Sequence, residues 1–255
     1  MTRVLSISLS IIFALLCKQV LAAKLKIVTE HLAPYQIVTD NSITGLSTEI
    51  IEATLKESQY PYELSAHPWS SAFHTVKHEK NTCIYSLARI PSREPLFSWI
   101  GHIASSSVSL YSLKNSEITI NNIEQAKAYN IAVIRDDFSH HFLLSKGFTE
   151  NTNLYVVDNY HALLKLLEMP NRNIDLVIIN DDLLKYRVAN VGDIKKYKNV
   201  FKFEELSLDF YLACNLNTDP QIINDLTNAM NTLEKHGTLP TIRSKWKKNM
   251  VNLIN

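Results

Sequence analysis

Two arginines four residues apart, Arg89 and Arg93, stand in the stretch Ser86-Leu87-Ala88-Arg89-Ile90-Pro91-Ser92-Arg93-Glu94-Pro95-Leu96-Phe97-Ser98-Trp99. A guanidinium is a planar fork of N–H donors that meets a carboxylate through two parallel hydrogen bonds. Pro91 and Pro95 prevent a regular helix or central strand here. Ser86 and Ala88 are small residues at what reads as a strand end, the position where open α/β sheets bind ligands. The stretch therefore points to anion binding. Arg93 could hold a ligand or could pair with Glu94 at the surface, whereas Arg89 reads as a brace for the loop.

Other chemistry is poorly supported. His140 and His141 are adjacent and so point in different directions on a helix. His74 and His78 share a helix face, but no third ligand accompanies them. The chain has no Gly-x-Ser-x-Gly elbow, no glycine-rich phosphate loop and no Cys-x-x-Cys pair. No metal, no cofactor and no catalytic residue are expected, and the reading is a binding protein rather than an enzyme.

Composition narrows the class further. The 255 residues allow one or two domains, and a hydrophobic fraction of 46% supports a sizeable core. Residues 1–23 differ from the rest: Arg3 precedes the apolar run Val4 to Leu16, and Val20-Leu21-Ala22 offers small side chains to a signal peptidase. The run is shorter than the ~20 residues needed to span a bilayer. A signal peptide is expected, cleaved after Ala22 or Ala23, with Cys17 inside it and a periplasmic destination. Removing it takes Arg3 and Lys18 from the 26 basic residues and none from the 25 acidic ones. The remainder is near neutral, with no basic field for nucleic acid or an anionic membrane. Cys83 and Cys214 could pair after export, but both sit in apolar, strand-like contexts that also suit buried free thiols, which is the reading slightly favoured here.

The elements that must position Arg93 follow from periodicity. Lys24 to Thr29 reads as a strand that leaves through Ala33-Pro34-Tyr35. Thr48 to Ser58 is a helix with Ile50, Ile51, Thr54 and Leu55 on one face. Tyr62 to Ala66 is a strand ending near Pro68-Trp69, Ser70 to Lys80 a helix, and Thr82 to Leu87 a strand. Short connections in this order make a right-handed parallel βαβ lobe that brings Tyr35, Trp69 and Ser86–Arg93 to one sheet edge. Tyr35 and Trp69 are either pocket aromatics or plain core.

Ile103 to Leu113 is a serine-rich strand leaving this lobe. A second unit follows. It has strands over Asn130–Arg135, Asn153–Val157 and Ile174–Ile179, the last an apolar run suited to a central parallel strand. Its helices are Asn122–Ala128, Phe138–Lys146 with an Asp136-Asp137 cap and Gly147 as terminator, Asn159–Met169, and Asp181–Val188. Val200–Phe203 and Leu206–Asn215 return as two strands. Asp219-Pro220 opens a helix closed by His236-Gly237, and Thr241–Trp246 is a last short helix.

In this order the chain resembles the family 3 extracellular solute-binding proteins, the periplasmic receptors that feed polar amino acids to ABC importers. The resemblance covers nearly all of the chain after residue 23. It is carried by Ala33-Pro34-Tyr35, Gly45-Leu46-Ser47-Thr48-Glu49-Ile50, Arg93-Glu94 with Phe97-Ser98, Ile174-Asp175-Leu176, Leu233-Glu234-Lys235-His236-Gly237 and Lys245-Trp246. It implies a two-lobed α/β fold, each lobe a mainly parallel sheet flanked by helices, with two hinge crossings. Lobe 1 would be residues 24–108 plus 207–255, and lobe 2 residues 109–206. It implies a small-molecule ligand clamped between the lobes, with Tyr35 stacking on it and Arg93 gripping its carboxylate. Trp69, Ser86, Ala88, Asp137, Phe138, Asn180 and Asp181 complete the expected contacts.

The chain departs from the family pattern at Ile90, where a threonine is usual. It departs again at the anionic loop Arg135-Asp136-Asp137-Phe138, where a Gly-Ser/Thr loop is usual, and at Asn180, where an aspartate normally holds an ammonium. The acidic rim implies a cationic or amine-bearing ligand. Expected partners are the small-molecule ligand and an ABC permease in the inner membrane, with the protein monomeric and binding no nucleic acid. The same fold also implies two alternatives: a sensing module acting through a separate signalling partner, and a periplasmic enzyme resembling cyclohexadienyl dehydratases.

Overall fold

The computed structural model describes residues 24–158, 160–191 and 194–254; the expected signal peptide at 1–23 and the expected helix start at Asn159 lie outside them. The first unit is β1 (Leu25–Thr29), a small hairpin of β2 (Ile37–Val38) and β3 (Ile43–Thr44), α1 (Leu46–Ser58), β4 (Tyr62–Ala66), α2 (Trp69–His78) and β5 (Thr82–Ala88). After a loop and a short 3-10 turn at Glu94–Leu96, β6 (Phe97–Leu113) crosses to the second unit. That unit holds α3 (Ile123–Ala126), β7 (Ile131–Ile134), α4 (Phe138–Ser145), β8 (Leu154–Val157), α5 (Tyr160–Leu167), β9 (Leu176–Asn180) and α6 (Asp181–Val191). The strand β10 (Tyr197–Asn215) returns, and α7 (Pro220–Lys235) and α8 (Thr238–Ile254) close the chain against α1.

The strands form one eight-stranded sheet in the order β4-β1-β5-β10-β6-β9-β7-β8. The outer trios β4-β1-β5 and β9-β7-β8 are parallel, and the two long strands between them run antiparallel to their neighbours. The two crossings are thus part of the sheet. Continuous apolar runs explain the centres of both halves: every residue of β5, β7 and β9 is buried, as parallel strands covered on both faces require.

Two elements are longer than periodicity suggests. Glu204-Glu205 breaks the alternation that separates the two expected return strands, yet the backbone stays extended and β10 is a single strand. Its pairing with β6 jumps from Lys202↔Ser109 to Ser207↔Ser107, a bulge that absorbs the polar insert. The last helix is also extended, because it is tied by its side chains. Lys245 and the Trp246 indole donate to Glu49 on α1, at 2.5–2.8 Å, and Arg243 pairs with Glu234 and donates to the Ile103 carbonyl.

The leaning towards free thiols is corrected: Cys83 and Cys214 form a disulfide. They are directly opposed in the β5–β10 register, a juxtaposition that sequence spacing cannot reveal. Among the described residues no helix is long and apolar enough to cross a membrane, and no cluster of three or more His, Cys, Asp or Glu could hold a metal ion.

Candidate functional site

The first unit sets its half of the site through one tight loop. The carbonyls of Pro34 and Tyr35 accept the first N–H groups of α1, from Leu46 and Ser47, at 3.0 and 2.9 Å, supplying partners that a helix start otherwise lacks. Gly45 sits at φ +114° with these carbonyls so close that a Cβ would lie 2.4 Å from the Tyr35 oxygen, so only glycine fits. At the end of β5, Ser86 adopts φ +56°, a left-handed conformation that costs energy in a non-glycine residue. Its hydroxyl donates to Ser47 at 2.8 Å, which fixes the turn that carries the chain through Ala88 to Arg93.

Arg93 is 4% exposed. Its guanidinium carbon lies 5.2 Å from the ring centres of both Trp69 and Phe73, a cation–π arrangement. Its nitrogens reach the carbonyls of Ala88 at 3.4 Å and Asp136 at 3.5 Å. Glu94 pairs with Arg89 instead, and the Arg89 guanidinium stacks over Trp99 and Tyr211. Arg89 is thus a surface brace.

The second unit meets this wall directly. Asp136, at φ +55°, turns its carbonyl to the Trp69 indole N–H at 3.0 Å and to Arg93. Asp137 caps α4 by accepting the Phe138 N–H. A further contact is made by the Tyr35 hydroxyl, which donates to Asp182 at 2.8 Å. Burial, and then the Asp182 carboxylate, hold the Tyr35 phenol well above its usual range.

Between these contacts lies a cavity of about 20 Å³, room for roughly one water. Trp69, Ser86, Ala88, Arg93, Asp137, Phe138 and Asn180 line it, together with Glu30, Leu32 and the crossing-strand residues Val108, Leu208 and Phe210. The structure therefore brings seven of the nine expected residues together. Tyr35 and Asp181 lie elsewhere. Tyr35 packs edge-on to Phe210, with ring centres 5.0 Å apart, and its hydroxyl is engaged by Asp182. The Asp181 carboxylate accepts from Ser107 at 2.5 Å and Tyr111 at 3.0 Å, which ties α6 to β6. Asn180 ends β9, and its side-chain oxygen accepts the Asp182 and Leu183 N–H groups at 2.9 and 3.0 Å.

Glu30 was not anticipated. It follows β1 directly, and the only sequence signal was its place after a strand that shares an edge with Arg93. Glu30 is half-buried and lines the cavity, and desolvation of its carboxyl raises the pKa well above the usual range. The Asp137 carboxylate adds to this, and Arg93 opposes it. A carboxyl raised in the fold binds its proton more tightly folded than unfolded. Its contribution to stability is complete below about pH 4.5 and is lost as pH rises through the folded-state value. Urea unfolding between pH 4.5 and 8 is expected to show stability falling more steeply for the native protein than for Glu30→Gln. Parallel curves would contradict this electrostatic picture.

Comparisons with known proteins agree with the architecture. A histidine kinase sensor domain similar to periplasmic binding proteins superposes with a TM-score of 0.78 at 16% identity, over 88% of this chain and 96% of the other. The arginine-, lysine-, histidine-binding protein of Geobacillus stearothermophilus gives 0.75 at 16% identity, over 88% and 94%. An arginine transport-system periplasmic binding protein of Legionella pneumophila gives 0.74 at 17% identity, over 88% and 99%. At such identities these likenesses establish the fold. No curated protein matches the sequence. The family described as bacterial extracellular solute-binding proteins, family 3, matches residues 25–249, and this chain belongs to it.

Proposed function

We propose that the protein captures a small polar solute, an amino acid or a related amine or carboxylate, between its two lobes and presents the closed form to a membrane partner. The observation that carries this reading is the cavity lined by residues of both units with a buried guanidinium on its wall, since concave sites with a few convergent polar groups are where ligands bind. Lobe 1 is residues 24–108 plus 207–255, and lobe 2 is residues 109–206. The pairing break opposite Ser107–Ser109 supports this boundary. Binding acts by selecting the closed arrangement through contacts to both lobes.

The protein works as a monomer in the periplasm after signal cleavage, binds rather than transforms its ligand, and delivers it to an ABC permease. The transport-system periplasmic binding protein among its structural relatives supports this route. A second reading has one observation in its favour, the likeness to a histidine kinase sensor domain: the closed form would then report to a separate signalling partner. A thermal-shift screen across amino acids, polyamines and small carboxylates tests the binding reading, because a ligand that binds only the fold raises its melting temperature. A screen in which no compound shifts the transition would remove it. Reconstitution with a permease, against reconstitution with a kinase, separates the two partners.

A further inference from the structure

Three buried side chains of the first unit, Tyr35, Trp69 and Arg93, meet partners supplied by the second. The Asp136 carbonyl accepts the Trp69 indole N–H at 3.0 Å and an Arg93 N–H at 3.5 Å. The Tyr35 hydroxyl donates to Asp182 at 2.8 Å, and the side chains of Asn180 and Ser106 hydrogen-bond the same phenol. The cavity left between these contacts is about 20 Å³, room for roughly one water. Sites that enclose a small molecule are far larger. Asp136 is shaped for its contact. It stands at φ +55°, a left-handed conformation that a non-glycine residue keeps only where its surroundings hold it. Its N–H donates to Nδ1 of the buried His140 at 3.2 Å, which fixes the turn from the other side and aims the carbonyl across the seam.

Going beyond the binding reading above, we propose that this arrangement is a self-locked form of the protein, in which the Asp136 carbonyl takes the acceptor position at Arg93 and Trp69 that a solute would otherwise fill, and Tyr35 seals the seam against Asp182. A carbonyl oxygen is an acceptor, so it gives the guanidinium and the indole what an acceptor on a solute would give them. The protein's own groups therefore satisfy both sides of the seam, and nothing between the units is needed to hold them together. The solute-holding form is a second, wider arrangement. A solute enters when Arg93 and Trp69 release Asp136, and it then supplies the acceptor itself. The lock is thus an internal competitor. Only the unlocked fraction is competent to bind, so the apparent affinity is lower than the solute's own contacts would give.

The test is small-angle X-ray scattering on residues 24–255, freed of any co-purified solute by dialysis out of urea under oxidising conditions. The wild-type profile is expected to match the one calculated from the locked arrangement. Tyr35→Phe combined with Trp69→Phe removes two of the donors that cross the seam while leaving an aromatic ring at each position. The loss of two hydrogen bonds is expected to lower the ratio of locked to open protein roughly 5- to 150-fold, read as a larger radius of gyration. Asp136→Val, which disfavours positive φ and so re-aims the carbonyl, is expected to expand the protein as well. Asp136→Gly adopts that conformation freely, keeps the carbonyl and is expected to stay compact. Circular dichroism confirms that each variant is folded. An expanded wild-type profile overturns the proposal, as does a folded double variant or Asp136→Val as compact as the wild type. If those variants do not fold, the wild-type profile decides. The measurement uses no solute, so a thermal-shift screen without a hit removes the binding reading and leaves the lock standing, whereas an expanded wild type removes the lock and leaves the binding reading.

Discussion

Replacing Cys83 and Cys214 together with alanine is expected to lower the stability of the oxidised protein by about 2–5 kcal/mol. The bridge closes a loop between residues 131 apart in sequence. By the chain-entropy argument, a loop of that size restricts the unfolded chain by more than ~4 kcal/mol. The bond also joins β5, which carries Ser86 and Ala88 into the site, to β10, which supplies Leu208 and Phe210. Both sulfurs are fully buried, so removing them leaves unfilled volume that adds to the loss. Urea unfolding of both proteins under oxidising conditions gives the difference directly, and treatment of the native protein with a reductant strong enough to open the bridge should move its midpoint towards that of the variant. Coincident midpoints for the native and double-alanine proteins would show that the bond contributes nothing.

Arg93→Ala is expected to reduce affinity for the natural ligand by roughly 30- to 1000-fold, the range of ~2–4 kcal/mol that follows removal of one partner from a desolvated charge pair. The physical reason is asymmetric: the ligand's carboxylate would remain buried without its donors, which costs more than never having formed the pair. The cost extends beyond charge. Trp69 and Phe73 lose the cation that lies over both rings, and Asp136 loses a donor at its carbonyl. Arg93→Lys separates these contributions, since lysine keeps a positive charge without the flat, forked geometry. Most of the affinity is expected to be lost in the lysine variant as well. Calorimetry on all three proteins measures this, and unchanged affinity in Arg93→Ala would remove Arg93 from the site.

Much of the scaffold was legible because local rules govern it. The apolar run Leu176 to Ile179 can only be comfortable inside a sheet covered on both faces. Asp137 and Asp219 stand before their helices as caps, and the side chains of both accept a first-turn N–H. The stretch around Arg93 could be placed at a strand end from its prolines and small residues alone. What escaped depends on partners distant in sequence. The family resemblance implies that the Tyr35 ring stacks on a ligand; what the sequence does not reveal is that its hydroxyl meets Asp182, 147 residues away. Asp181 is expected among the ligand contacts, and its carboxylate is held by Ser107 and Tyr111 of β6. Nothing in composition reveals that the oxygen of Asn180 is engaged by a helix start, or that Cys83 faces Cys214. Glu30 was overlooked because its importance comes from Arg93 and Asp137, which only the folded chain sets beside it.

The bulge where β10 realigns on β6 has a mechanical consequence. Two stiff plates of parallel strands are joined along a crease, and the ladder is already interrupted at that crease between Lys202 and Ser207. Bending there requires few backbone bonds to be sacrificed. The two halves are also tied by buried side chains, in the contacts of Tyr35 with Asp182 and of Trp69 and Arg93 with Asp136. Opening along that crease would therefore mean breaking a small number of buried clasps.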